Sequence, residues 1–311
     1  MNNTNKLISL GEGNTPIIRL NSIEKLINWK GELWAKAEYQ NPTGSFKDRG
    51  SVFEIAAAIK QRKKGVVCAS TGNMAASLSA YAARSNLACF VVVPVFTPEN
   101  KLNQALVSGA KLVKIEGNYD DCVIKAKKIS DENNFLLCGD YEVRRIGQRS
   151  VGKELAESQI NFDAFIAPVG NGTLGCAVIE GFFEKKQRPQ FIGVQGKGAD
   201  PLVLAFKNNK ETFNDIKNPK TIASAMKVGN PLDGRLTLNL IKEVNGTLIS
   251  VNDVEILKAQ DLLAKKEGIY VESSAAATLA GLINLNVKFN DKFMQLKIVL
   301  ILTGNGLKEN N

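Results

Sequence analysis

Short runs of apolar and β-branched residues alternate along the chain with small-residue turns and helix-like segments. Residues 33–39, 65–70, 88–93, 111–116, 135–138, 164–169, 191–195 and 298–302 have strand length and strand composition. Residues 52–61, 74–84 and 120–130 carry helical patterns, the second rich in Ala, and a further helix opens near Pro98. Several of the strand runs are apolar without alternation, as they are when both faces of a sheet are covered. The pattern predicts an α/β protein whose mostly parallel sheets are flanked by helices. In such sheets ligands bind beyond the carboxyl ends of the strands. No internal repeat interrupts the pattern. Residues 199–235, rich in Asn, Lys and Pro, are the least regular stretch and are expected to form a mobile or substrate-covering region.

Composition narrows the classes. The chain has 311 residues, 44% hydrophobic and 23% charged, enough for two lobes around a shared cleft or for one large α/β domain. No apolar run reaches the roughly 18 residues of a membrane span, so no membrane partner is expected. The Asn-rich first ten residues lack an apolar signal core, which predicts a cytoplasmic protein. The five cysteines, Cys68, Cys89, Cys122, Cys138 and Cys176, are widely spaced and form no CxxC pair. They read as core residues, with no metal site. The net charge of +9 gathers in helix-like stretches such as Lys125, Lys127 and Lys128. No aromatics interleave with them, so a solvated basic face is expected and no nucleic-acid partner. The charge suits a small anionic substrate. The chain contains no histidine, which excludes a Ser-His-Asp triad, a His base and His-ligated metals.

Four loops follow predicted strands and carry candidate chemistry. The first is Asn41-Pro42-Thr43-Gly44-Ser45-Phe46-Lys47-Asp48-Arg49-Gly50. Its Lys47 lies where a helix begins, and a helix N-terminus disfavours an ammonium and favours the neutral amine that Schiff-base chemistry needs. The second, Ser70-Thr71-Gly72-Asn73-Met74, opens a helix whose amides can bind a carboxylate. The third, Gly170-Asn171-Gly172-Thr173-Leu174-Gly175, has the small residues that let amides converge on a phosphate. The fourth, Leu302 to Lys308, places the hydroxyl of Thr303 at a strand end, where it could face a ring nitrogen. Each loop alone is equally compatible with an ordinary turn or cap.

In this order the loops resemble the fold-type II, tryptophan synthase β-like enzymes that use pyridoxal 5'-phosphate (PLP), and among them the threonine synthases. NPTGSFKDRG at 41–50, ASTGN at 69–73, PVGN at 168–171, IASAMKVGNP at 222–231, GIYVESSAAATLAGL at 268–282 and LTGNGLK at 302–308 carry the resemblance. It implies two lobes, each a mostly parallel sheet flanked by helices. Residues 1–50 and 151–311 would form a larger cofactor-binding domain, and 51–150 a smaller inserted substrate-side domain. Lys47 would form the Schiff base with PLP and shuttle protons. Asn73 would bond the phenolic oxygen of PLP, Gly170, Asn171, Gly172, Thr173 and Leu174 would cradle its phosphate, and Thr303 would face its pyridine nitrogen. Ser70, Thr71, Asn73 and Met74 would hold the substrate carboxylate, and Arg144 the phosphate of O-phosphohomoserine. A homodimer is implied as well.

Some positions depart from the threonine synthase pattern. Met74 stands where a hydroxyl residue is usual, Leu174 where an asparagine is usual, and Asn305 where a histidine is frequent. Gly139 to Val143 (GDYEV) replaces a segment with Ser and Asn-Pro. These changes keep a second activity open, PLP-dependent β-elimination or β-replacement, as in threonine or serine ammonia-lyases and cysteate synthase.

Overall fold

The computed structural model describes residues 8–286 and 293–309. Ten strands are present among them: β1 (Ile17–Arg19), β2 (Glu32–Lys36), β3 (Gly65–Ala69), β4 (Ala88–Pro94), β5 (Lys111–Ile115), β6 (Phe135–Leu137), β7 (Ala164–Pro168), β8 (Gln190–Gly196), β9 (Thr247–Val251) and β10 (Lys297–Ile301). They form two sheets, one in each of two compact units.

The smaller unit comprises residues 8–13 and 40–148. Its sheet has the order β5-β4-β3-β6, parallel throughout. Successive side chains of a strand point to opposite faces. Accordingly Val66, Cys68, Val91 and Val93 join one apolar cluster with Ile55 and Leu78, from the helices Asp48–Lys60 and Asn73–Arg84. Val67, Ala69 and Val92 join another with Cys122, Ala126 and Ile129, from the helix Tyr119–Asn133. Both faces are thus covered, which is why these strands read as unbroken apolar runs. Asn118 starts the helix Tyr119–Asn133 with a capping box closed by Asp121, and Asn134 ends it in the left-handed region (φ 54°). Near Pro98 the chain forms a short 3-10 turn, Glu99–Leu102, and then the helix Asn103–Val107.

The larger unit comprises residues 14–39, 149–286 and 293–309. Its sheet has the order β1-β2-β10-β7-β8-β9, in which only the edge pair β1–β2 is antiparallel. The helix Ser273–Asn286 is buried along most of its length and packs with Ile166, Val194, Ile249 and Leu300 of the sheet. Asn252 and Glu255 close a capping box at the helix Asp253–Glu267, and Gly268 (φ 69°) ends it. Within 199–235 the structure has the helix Pro201–Lys207 and a turn at Ser224–Met226. The amide of Ile216 donates to Gly229 O, and that of Lys220 to Gly198 O.

Both sheets are those of an α/β protein with parallel-rich sheets and flanking helices, as the hydrophobic pattern predicts. The strand expected at 33–39 ends at Lys36, because residues 38–40 turn into a 3-10 helix and the Tyr39 amide donates to Leu302 O. Residues 40–50 cluster with the smaller unit, where the helix Asp48–Lys60 packs. Among the described residues no helix is long and apolar enough to cross a membrane, and no group of three or more metal-ligating side chains occurs. All five cysteines are buried thiols.

Candidate active site

In the smaller unit the Lys47 loop is built around one carboxylate. Asp48 accepts from the Thr43 amide (2.7 Å) and from Thr43 Oγ1 (2.5 Å). Gly44 completes the turn at φ 80°, a value glycine adopts without Cβ strain, and its amide donates to Asn41 O. Lys47 thereby occupies the N-cap position of the helix Asp48–Lys60. Its Nζ donates to Asp140 Oδ1 at 2.8 Å and lies 4.9 Å from the centre of the Phe46 ring. Asp140 belongs to the turn that follows β6, at the carboxyl edge of the sheet. Ser70 and Thr71 lie half-buried in the loop after β3, and the Gly72 amide donates to Ser70 Oγ (3.3 Å). No side chain caps the helix that Asn73 opens, so its first turn presents backbone amides. Met74 is buried in the apolar cluster of this unit.

Arg144 is held in a buried network. It is 0% exposed and forms an ion pair with Glu54, itself 2% exposed. Its Nε donates to Gly139 O (3.2 Å), one terminal nitrogen to Lys47 O (3.1 Å) and the other to Ser51 Oγ (3.3 Å). The stem of Arg144 lies on Gly50, where a Cβ would come within 2.4 Å of its Cγ. Glu54 also accepts from the Gly139 amide (3.0 Å). Burial pushes the Glu54 carboxyl up against the opposing pull of Arg144, and Asp140 adds to the rise. Burial works against the Arg144 charge, but the Glu54 and Asp140 carboxylates raise its proton affinity overall. Such a side chain braces the Lys47 and Gly139 backbones.

In the larger unit the glycine-rich loop follows β7, and Thr303 follows β10, the neighbour of β7 in the sheet. Gly172 has φ 89° and a Cβ on it would stand 2.2 Å from Thr237 Oγ1. Gly170 approaches the backbone of Ala225 closely, a Cβ there meeting its O at 2.7 Å. The Asn171 carbonyl accepts from the Asp233 amide (2.9 Å). The loop therefore opens the helix Thr173–Glu184 with no side-chain cap. Thr173 is 4% exposed, and its hydroxyl has no hydrogen-bond partner among the described residues. A buried hydroxyl without a partner is costly unless something else binds it. Together with an uncapped helix start it suits an anion such as a phosphate. Leu174 and Thr303 are each 5% exposed. The Glu272 carboxylate lies over Gly304, where a Cβ would meet Oε2 at 2.2 Å.

Within the smaller unit, then, Lys47 and Arg144 are brought together through Asp140 and Glu54. Within the larger unit, Gly170 to Leu174 and Thr303 share the carboxyl edge of neighbouring strands. Glu54, Ser51 and Glu272 were not singled out from sequence, because isolated polar residues in helices and turns carry no local signal. Asp140 did have one, as the acidic member of the atypical segment GDYEV.

Residues 8–304 match the family described as Pyridoxal-phosphate dependent enzyme. The chain is 40% identical to the threonine synthase of Methanocaldococcus jannaschii over 98% of its own length and 77% of that protein's. It is 37% identical to the threonine synthase of Bacillus sp. (strain ULM1), over 97% of this chain and 85% of that one. Among solved structures, serine racemase from Dictyostelium discoideum superimposes with a TM-score of 0.83 at 28% identity, covering 97% of this chain and 95% of the other.

Proposed function

The chain belongs to the pyridoxal-phosphate-dependent enzyme family, and on that premise we propose that it is a threonine synthase, converting O-phosphohomoserine and water to threonine and phosphate. The observation that carries the reading is the near-full-length likeness to threonine synthases. The cofactor of the family is PLP, and Gly170, Asn171, Gly172, Thr173 and Leu174 would hold its phosphate. The unpartnered Thr173 hydroxyl and the uncapped helix start fit that group. Asn73 would bond its phenolic oxygen, Thr303 its ring nitrogen, and Lys47 its aldehyde carbon.

When bound, PLP supplies an electron sink conjugated to the substrate α-carbon, which acidifies the α-proton and then a β-proton. The chain has no histidine, so Lys47 Nζ is the group proposed to take the α-proton and afterwards a β-proton. Phosphate then leaves from Cγ with the bonding electrons, a proton returns to Cγ, and water adds with its hydroxyl at Cβ and a proton at Cα. The Ser70 and Thr71 hydroxyls and the Asn73–Met74 amides would fix the substrate carboxylate. Thr303 is neutral and would not force a proton onto the ring nitrogen, which would moderate the sink and leave more of the steering to residues around Lys47. Arg144 enters as the brace of the Lys47 and Gly139 backbones.

A small anionic amino acid as substrate, a homodimer and a cytoplasmic location belong to the same proposal and rest on the family likeness. Met74 favours a second reading. An apolar side chain, buried where a hydroxyl residue is usual, suits β-elimination of water from threonine or serine, whose dehydrated product then hydrolyses to ammonia and a 2-oxo acid. A substrate panel separates the two. Phosphate and threonine from O-phosphohomoserine are expected. Ammonia and 2-oxobutanoate from threonine, with no phosphate released from O-phosphohomoserine, would establish the second reading instead.

A further inference from the structure

We infer that Asp140 is a positioning residue for Lys47: whenever the lysine amine is free, the Asp140 carboxylate holds its ammonium and fixes the point from which it gives back a proton. The inference rests on the assignment of Lys47 as the PLP lysine and not on the identity of the substrate.

The geometry is specific. Lys47 Nζ and Asp140 Oδ1 are 2.8 Å apart, and the two side chains are only 16% and 13% exposed. An exposed pair at that distance contributes little, but a half-buried one is weakly screened. Both ends of the pair are mounted on the same buried brace. Arg144 donates to the carbonyl of Lys47 and to that of Gly139, the residue before Asp140. Glu54 accepts from the Gly139 amide. The backbones that carry Asp140 and Lys47 therefore cannot drift apart without breaking hydrogen bonds of Arg144.

The surroundings favour a carboxylate at this spot. Arg144 faces Asp140 from the helix Glu142–Ala156 and Glu54 from the helix Asp48–Lys60. Tyr119, beside Asp120, and Tyr141 face it from the start of the helix Tyr119–Asn133 and from the same turn. Burial first, and then the Asp140 charge, push both tyrosine hydroxyls up, so they stay neutral beside it. The tyrosines are thus unsuited to hold the ammonium, and Glu54 is already paired with Arg144. Lysine has a flexible four-carbon stem. A free Lys47 amine that must both accept and return protons gains a fixed address from Asp140, and proton transfer requires that address to be within hydrogen-bond reach.

The test uses the full-length holoenzyme saturated with an α-methyl amino acid, which displaces Lys47 but has no α-proton to lose. Trace labelling with acetic anhydride at a single pH, quantified by mass spectrometry, reads how freely the Lys47 amine reacts. An amine held by a carboxylate is shielded from the reagent. In Asp140→Asn the labelling of Lys47 should therefore rise several-fold, while labelling of Lys60 on the same helix should not change. Asp140→Glu should restore most of the wild-type protection. kcat should fall in Asp140→Asn while KM moves little, and Asp140→Glu should recover most of it. Unchanged Lys47 labelling in a folded Asp140→Asn variant would overturn the inference, as would an Asp140→Glu variant no closer to wild type than Asp140→Asn. Failure of O-phosphohomoserine turnover would touch the substrate reading and leave the labelling result intact.

Discussion

Replacing Arg144 by Met separates a structural brace from a phosphate ligand. The substitution keeps an apolar stem of similar length over Gly50 but removes the partner of Glu54 and the donors to Gly139 O, Lys47 O and Ser51 Oγ. Breaking a buried ion pair by removing one partner costs about 3–5 kcal/mol. Glu54 can limit the loss by taking up a proton, since burial already pushes its carboxyl up. That adds a pH signature. A carboxyl whose proton affinity is raised on folding stabilises the protein fully below its unfolded value and ceases to do so as pH rises through the folded value. Arg144→Met should therefore be less destabilised at pH 5 than at pH 8. The double variant Glu54→Leu/Arg144→Met should recover much of the loss, because no charge is then left buried. Urea midpoints at the two pH values give the stabilities, and steady-state kinetics with O-phosphohomoserine give KM. If Arg144→Met changed stability by less than about 0.5 kcal/mol while raising KM for the phosphorylated substrate about 10- to 100-fold, the brace would be refuted and Arg144 would be a phosphate ligand after all.

Two further outcomes follow from the same structure. Gly172→Ala puts a Cβ on a residue at φ 89° and within 2.2 Å of Thr237 Oγ1; the left-handed backbone alone costs about 1–2 kcal/mol, so PLP affinity should fall about tenfold or more by absorbance titration. Cys89 is pushed up to about 11 by burial, with Ser79 opposing; its stabilising share is full below the unfolded thiol value near 9 and is lost as pH rises through 11. Urea midpoints should then decline above pH 9, by about 2–3 kcal/mol from this thiol at pH 11, and Cys89→Ala should flatten that decline.

Much of the site was legible because its chemistry is local. The loop 41–50 shows a turn, a helix start and a lysine within ten residues, and the structure builds it from the contacts of Thr43, Gly44 and Asp48. Gly172 and Thr173 likewise announce a backbone that crowds a helix start. The short edge strand β1 and the strand β9 escaped notice, since three residues, or five flanked by polar ones, barely differ from a turn.

The sequence by itself determined the α/β class and eight of the ten strands among the described residues, because hydrophobic period and turn chemistry act between neighbours a few residues apart. Only the tertiary structure decided what the charged residues do. Arg144 is 90 residues from Glu54, and Lys47 is 93 from Asp140. Whether a guanidinium meets solvent, a phosphate or a buried carboxylate depends on which helix packs beside it. Here the helix Asp48–Lys60 carries Glu54 against Arg144, and the turn after β6 carries Asp140 to Lys47. Burial then turns these contacts, worth little in water, into the interactions that hold the site.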